Sequence, residues 1–142
     1  MLKSVNKLMR THAVKELARL DQIREIVAAA KEGSSQTAIA RDAQISQPEV
    51  HRILRRVGNF PEIIERTPRE VIFEWVTGKI SHYEMMEELE GWSYTFAEDV
   101  EPENPEGTIS RGSWDQVADA AGRGFLDEHD YEILVNRIRP KM

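Results

Sequence analysis

The sequence predicts an all-α protein in two parts, a three-helix domain over residues 1–58 and a small acidic helical domain over 59–142. Three observations predict it. Apolar residues recur at three- and four-residue spacing through most of the chain. Helix-capping residues stand just ahead of those periodic runs, at Ser35, Ser46, Thr67, Ser81 and Asp127. The charge is also uneven: residues 1–58 hold 11 Lys+Arg against 6 Asp+Glu, whereas residues 59–142 hold 8 against 19. The overall charge of −6 therefore hides a balance of +5 on the first part and −11 on the second. A split of this kind suggests two tasks on one chain, or an acidic half that only supplies solubility.

In chain order, residues 2–10 place Leu2, Val5 and Met9 on one helical face. A longer pattern restarts at Thr11 or His12, with Leu17, Leu20, Ile23, Val27 and Ala30 forming the apolar stripe of an amphipathic helix. Gly33 ends it, and Ser35 caps a short helix with Ile39, Ala40 and Ala43 on its inner face. Ile45 plugs the following turn. Ser46 then opens a second short helix whose Val50, Ile53, Leu54 and Val57 face inward, with Glu49 completing a capping-box pattern. Gly58-Asn59-Phe60-Pro61 breaks that helix and marks a boundary.

Beyond a short turn, Thr67-Pro68-Arg69-Glu70 starts a helix that buries Val71, Ile72, Trp75 and Val76 and stops at Gly78. Ser81-His82-Tyr83-Glu84 starts another, with Tyr83, Met86 and Leu89 inward. Trp92, Tyr94 and Phe96 then alternate with small polar residues, which leaves open a short strand or hairpin near 92–110. The acidic, proline-containing run 98–107 reads as a solvated loop. Ser113–Gly122 is a further helix with an S-x-x-Q start and Trp114, Val117 and Ala121 inward. Asp127 caps the last one, striped by Tyr131, Leu134, Val135 and Ile138, and the RPKM tail is expected to fray.

The stretch with a legible chemical task is Gln36–Arg55, a helix, tight turn and capped second helix. The outward positions of the second helix are Gln47, His51, Arg52, Arg55 and Arg56, a polar and cationic face that suits a DNA major groove. Residues 34–57 resemble the helix-turn-helix of phage-repressor-type and bacterial transcriptional regulators, of repressor or antitoxin type. Ala40 matches the small residue of that family's first helix, Ile45 the buried residue after the turn, and Val50 and Ile53 the two buried positions of the second helix. The family usually has glycine at the turn. Here Gln44 stands there, and the left-handed conformation costs it about 1 kcal/mol.

The resemblance implies that Ser46, Gln47, Pro48, His51, Arg52 and Arg55 approach the groove. Gln47 suits an adenine edge and Arg52 a guanine edge. Gln36, Thr37, Arg41 and Arg56 are placed to hold phosphates, beside the helix start at Ser35. The alternative for the arginines is a solvated face paired with Asp42 or Glu49. For Trp92, Tyr94 and Phe96 there are likewise two readings, contact with a partner protein or a lid on the core beside Trp75.

The absence of cysteine excludes disulfides and thiolate metal sites. The four histidines stand too far apart in sequence to suggest a metal site, and no cofactor fingerprint, phosphate loop or paired-carboxylate arrangement occurs. No apolar run reaches membrane-spanning length. A cytoplasmic, non-enzymatic, homodimeric regulator that binds double-stranded DNA, most simply a repressor, is expected. The acidic half would dimerise or bind a basic partner protein, and the sharper form is an antitoxin whose acidic half neutralises a toxin. The competing expectation is an interaction adaptor in which the helix-turn-helix is only structural.

Overall fold

The computed structural model of the chain describes residues 5–96 and 112–138. The regular structure among them is all helical: α1 (Lys7–Lys31), α2 (Gln36–Ala43), α3 (Gln47–Asn59), a 3₁₀ turn (Pro61–Ile64), α4 (Pro68–Val76), α5 (His82–Glu90), α6 (Ser113–Gly122) and α7 (Glu128–Ile138). The all-α class therefore holds. No strand occurs among the described residues: Trp92–Phe96 is neither helical nor paired in a sheet. The remainder of the expected strand region, the acidic loop 98–107, Leu2 and the RPKM tail lie outside the described residues. The restart expected at Thr11 or His12 is absent, because α1 runs through both without a break.

The chain divides into two compact units, Lys15–Glu65 and the pair of segments Met1–Val14 with Arg66–Met142. This division differs from the one drawn at residue 58. The Phe60-Pro61 break lies inside the first unit, because the 3₁₀ turn packs back on α3 and the Arg24 guanidinium Nε donates to the Ile64 carbonyl at 2.9 Å. Electrostatics change with it. Lys15–Glu65 holds 8 Lys+Arg and 8 Asp+Glu, so that unit is neutral overall, and the whole charge of −6 falls on the other.

In the Lys15–Glu65 unit, α1, α2 and α3 close around Ile26, Ile39, Ala40 and Val50, with Ala29, Ala30, Ala43, Ile45, Ile53 and Leu54 packed on that centre. Burial of an Ile or Val of this kind contributes about 1.5–3 kcal/mol, so three such residues outweigh any exposed ion pair in the unit. Ile26, one position off the expected stripe, is buried, while Leu20 and Ile23 are only half-buried. Both short helices are capped as their sequences imply. The Ser35 hydroxyl accepts from the Ala38 amide at 3.1 Å and the Ser46 hydroxyl from the Glu49 amide at 3.2 Å. The capping box at Ser46 is half-formed, because the Glu49 carboxylate turns to Arg52 at 2.8 Å.

The other unit is built from α4–α7, with α4 against α5 and α6, and α7 against the same two helices. Val71, Ile72, Met85, Leu89, Val117, Leu126 and Leu134 form its buried centre. Phe73 and Phe125 meet edge to face at 5.0 Å, and His12 lies 5.9 Å from each ring. Several inward assignments shift. Tyr83 is 73% exposed, since α5 buries Met85, Met86 and Leu89 and leaves its first turn outside. Trp75 is half-buried beside the His82 ring, Phe73 taking the inner place, and Ala120 is buried in preference to Ala121. Ser113 and Gln116 do not form the expected cap. The Ser113 hydroxyl accepts from the Thr95 amide at 2.9 Å, and Gln116 Oε1 accepts from the Arg69 amide at 3.1 Å, so Gln116 serves the start of α4. Asp127 does cap α7, its carboxylate accepting from the His129 amide at 2.9 Å.

Charged groups are handled by pairing. Arg66 donates to both Glu74 oxygens at 3.2 and 2.6 Å and to both Glu88 oxygens at 2.6 and 2.9 Å, joining α4 to α5. These charged partners hold the guanidinium well above its ordinary pKa. Asp130, 3% exposed, meets His82 Nε2 at 2.8 Å. At Ser81 the capping box is complete: its hydroxyl accepts from the Glu84 amide at 3.1 Å, and its amide donates to Glu84 Oε1 at 3.0 Å. Hydrogen bonding from Ser81 keeps the Glu84 carboxyl below the usual carboxylate range.

Candidate nucleic-acid interface

The turn between α2 and α3 sets the direction of the second helix, and its conformation follows from its hydrogen bonds. Gln44 is left-handed, at φ 60° and ψ 41°, the only non-glycine with positive φ among the described residues. The Gln44 and Ile45 amides both donate to the Ala40 carbonyl, the second at 3.1 Å. Elsewhere in the chain the same wrap closes α1 at Gly33, α4 at Gly78 and α6 at Gly124, each with positive φ. At Gly33, for example, the glycine amide donates to the carbonyl three back (Ala30, 3.1 Å) and the next amide to the one five back (Ala29, 3.1 Å). Gln44 leaves the Arg41 carbonyl without a backbone donor of this type and supplies its own side chain, Nε2 donating to that carbonyl at 2.7 Å. A side chain replaces the bond that glycine's backbone makes at the other ends.

With the turn fixed, α3 buries Val50 and Val57 and half-buries Ile53 and Leu54. Ser46, Gln47, Pro48, His51, Arg52, Arg55 and Arg56 are all exposed. Gln47, His51 and Arg55 follow one another at four-residue spacing along the outer face, and Pro48, Arg52 and Arg56 form the adjacent row. Pro48 occupies the second helical position, where its missing amide proton breaks no helical bond. The whole of α3 is about 20 Å long at 1.5 Å per residue, so its first two turns fit within a groove about 12 Å wide.

The sequence-derived phosphate candidates cluster less evenly. Thr37 and Arg41 are exposed on α2, while Gln36 is half-buried. Gln36 and Gln47 are brought together across the motif, Gln47 Nε2 donating to Gln36 Oε1 at 2.6 Å. Two of the arginines have acidic neighbours. Arg41 Nε lies 3.1 Å from Asp42, and Arg52 lies 2.8 Å from Glu49, so the paired-arginine alternative describes these two correctly. Arg55 and Arg56 carry no ion pair among the described residues.

Trp92, Tyr94 and Phe96 lie in the other unit, each half-buried. Tyr94 meets Trp114 edge-on at 5.0 Å, Phe96 lies 6.4 Å from Trp114, and Trp114 stacks on Tyr131 at 5.8 Å. The Tyr94 hydroxyl donates to the Leu89 carbonyl at 2.6 Å, and burial pushes the phenol above its ordinary pKa. Tyr94 and Phe96 therefore pack on Trp114, and Trp92 lies 6.5 Å from Tyr94, a cluster that accounts for the alternating aromatics without invoking a partner. Thr95, exposed between the half-buried Tyr94 and Phe96, clasps α6: its carbonyl accepts from the Trp114 amide at 3.1 Å and its hydroxyl from the Ser113 amide at 2.9 Å. A Cβ at Gly112 would collide with the Thr95 carbonyl, so glycine is required there.

Sequence reasoning missed the Gln36–Gln47 bridge and the Gln44 side-chain bond. Both join residues whose polar side chains look like ordinary surface, and no local pattern encodes either. No helix among the described residues is long and apolar enough to cross a membrane. No protein-family model, curated protein or solved structure matches the chain.

Proposed function

We propose that the chain is a sequence-specific double-stranded DNA-binding regulator, most simply a homodimeric repressor, that reads the major groove with α3. One observation carries the reading. The capped start of α3 presents Gln47, Pro48, His51, Arg52 and Arg55 to solvent while the opposite face of the same helix is locked into a three-helix core. Gln47 takes an adenine edge and Arg52 a guanine edge; His51 and Arg55 lie deeper along the helix. Gln36, Thr37, Arg41 and Arg56 hold phosphates, with the Ser35-capped start of α2 beside them.

The internal pairs do not stand in the way. Arg52 must leave Glu49 to reach a base, and an exposed i,i+3 pair is worth about 0.3–0.5 kcal/mol, whereas a bidentate arginine–guanine contact contributes about 1–3 kcal/mol. Neutrality of the Lys15–Glu65 unit makes the electrostatic part of binding local to Arg41, Arg52, Arg55 and Arg56. If Arg41 and Arg56 each neutralise one phosphate, log K falls with log salt at a slope of about −1.8 per protomer. A single recognition helix reads few base pairs, so a dimer on a palindrome with half-sites about one helical turn apart supplies the rest.

Selection from a random duplex library with the full chain tests this. The expected result is enrichment of a palindromic site, with Arg52→Ala losing about 1–3 kcal/mol there and relaxing one base position. Arg56→Ala should weaken all duplexes alike. Failure to retain any duplex at about 50 mM salt refutes the reading, since even non-specific binding is strong under those conditions.

The negatively charged unit supplies dimerisation or binds a basic partner protein, and in the antitoxin form that partner is a toxin. Co-purification from the native host and the identity of the adjacent reading frame test that part. The adaptor reading is favoured by the neutral charge of the helix-turn-helix unit and by the internal pairing of Arg41 and Arg52. A flat salt response in a direct duplex titration would select it.

A further inference from the structure

A groove runs along the helix-turn-helix unit between α1 and α2, lined by Gln22, Glu25, Ile26 and Ala29 from α1, by Ala38, Ile39, Asp42 and Ala43 from α2, and by Ser34 from the connection. The α1 residues follow i, i+3, i+4, i+7 spacing, so they form one face of that helix. Ile26 and Ile39 are core residues and make an apolar floor, while alanines keep the walls low. Glu25 and Asp42 place a carboxylate on each helix, both exposed, and no lysine, arginine or histidine lines the groove. Its volume of about 320 Å³ is too small for a helix of a partner protein and falls at the lower end of the range for small-molecule sites, about 300–1,000 Å³.

We propose that this groove binds a small organic cation, an ammonium or amidinium on an apolar body, and that occupancy regulates the DNA contacts of α2. The apolar part rests on Ile26 and Ile39, and the cation lies against Glu25 and Asp42. Charge complementarity selects the class: an anion would meet two carboxylates, and a neutral body would offer neither of them a countercharge. The link to DNA is Asp42 itself, whose carboxylate holds Arg41 Nε at 3.1 Å. A bound cation competes for that carboxylate and frees Arg41 for phosphate. This second half rests on the DNA-binding reading above; the binding site does not.

Benzamidine and its neutral counterpart benzamide are suitable probes on the full chain. By methyl-resolved NMR without DNA, benzamidine is expected to shift Ile26, Ala38 and Ile39 while leaving Leu54 and Val57 in place. Benzamide should bind about fivefold more weakly, the difference expected from two solvent-exposed carboxylates. Glu25→Gln with Asp42→Asn, both at exposed positions, should bring benzamidine down to the level of benzamide and keep the amide spectrum dispersed. Equal binding of the two probes, or unchanged benzamidine binding in the double variant, overturns the site. So does the absence of any shift at about 10 mM, a concentration at which even fragment-sized ligands of ordinary efficiency occupy a real pocket. Duplex affinity then reads the coupling: saturating benzamidine should strengthen wild-type binding, and Asp42→Asn alone should mimic it. Unchanged affinity overturns the coupling alone, and a chain that binds no duplex sinks the DNA reading while the NMR result still decides the site.

Discussion

Residue 44 separates two contributions that usually coincide at a helix end. Gln44 holds a left-handed backbone, which costs a non-glycine residue about 1–2 kcal/mol, and its side chain returns a hydrogen bond to the Arg41 carbonyl at 2.7 Å. A solvent-exposed bond of that kind contributes about 0.5–1 kcal/mol net. Gln44→Ala keeps the strain and loses the bond, so it should destabilise the Lys15–Glu65 unit by about 0.5–1 kcal/mol. Gln44→Gly loses the bond and also relieves the strain, leaving it as stable as wild type or more stable by up to about 1 kcal/mol. The gap between the two variants should therefore be about 1–2 kcal/mol, with glycine the more stable. Native-state hydrogen exchange at the α2 and α3 amides is the appropriate assay, because it reports this unit separately from the rest of the chain. Equal protection in the alanine and glycine variants would refute the claim that the turn is left-handed in solution. Equal protection in alanine and wild type would refute the contribution of the side-chain bond.

Other expectations concern the second unit. Arg66→Ala removes the clamp between Glu74 and Glu88 and should cost about 1–2 kcal/mol in urea unfolding even after discounting for its partial exposure. Arg69→Ala, with a single contact of 3.8 Å to Asp119, should cost clearly less; equal losses would dismiss the clamp. Tyr94→Phe should cost about 1 kcal/mol by orphaning the Leu89 carbonyl. Because burial raises the pKa of that phenol in the folded state, its contribution is present below the ordinary tyrosine pKa and lost as pH rises toward the folded value. In an ultraviolet titration one of the three tyrosines should lag in the folded chain and rejoin the others in urea. Glu84 has the opposite sign: its lowered pKa gives stability above the ordinary carboxylate range that is lost as pH falls through the folded value. Glu84→Gln should therefore flatten the acid limb of the stability curve, and an unchanged limb would show that the capping box does not form in solution.

What could be read from the sequence depended on how far each side chain reaches. Ser35, Ser46, Thr67 and Ser81 were legible as caps because each bonds an amide three residues on. Ser113 and Gln116 carry the same local signature, yet their partners are Thr95 and the Arg69 amide, 18 and 47 residues away. Periodicity found the helices but not their rotation: α1 buries Ile26, and α5 turns Tyr83 outward and Met85 inward. The same limit applies at the candidate interface. The outward placement of Gln47, His51, Arg52 and Arg55 follows from which residues the core takes. The Gln36–Gln47 bridge and the choice of Arg52 by Glu49 are competitions among flexible polar side chains, which spacing alone does not resolve. Net charge was the least transferable inference, since moving the boundary from residue 58 to 65 and reassigning the first 14 residues turned a basic domain into a neutral one.

The clasp of Thr95 on Ser113 and Trp114 has a steric consequence. Two points 18 residues apart in sequence are held together by main-chain and hydroxyl bonds, with Gly112 required for their approach. A side chain at position 112 would part the clasp at the Thr95 carbonyl, so one added methyl there would release the start of α6 from the segment that follows α5.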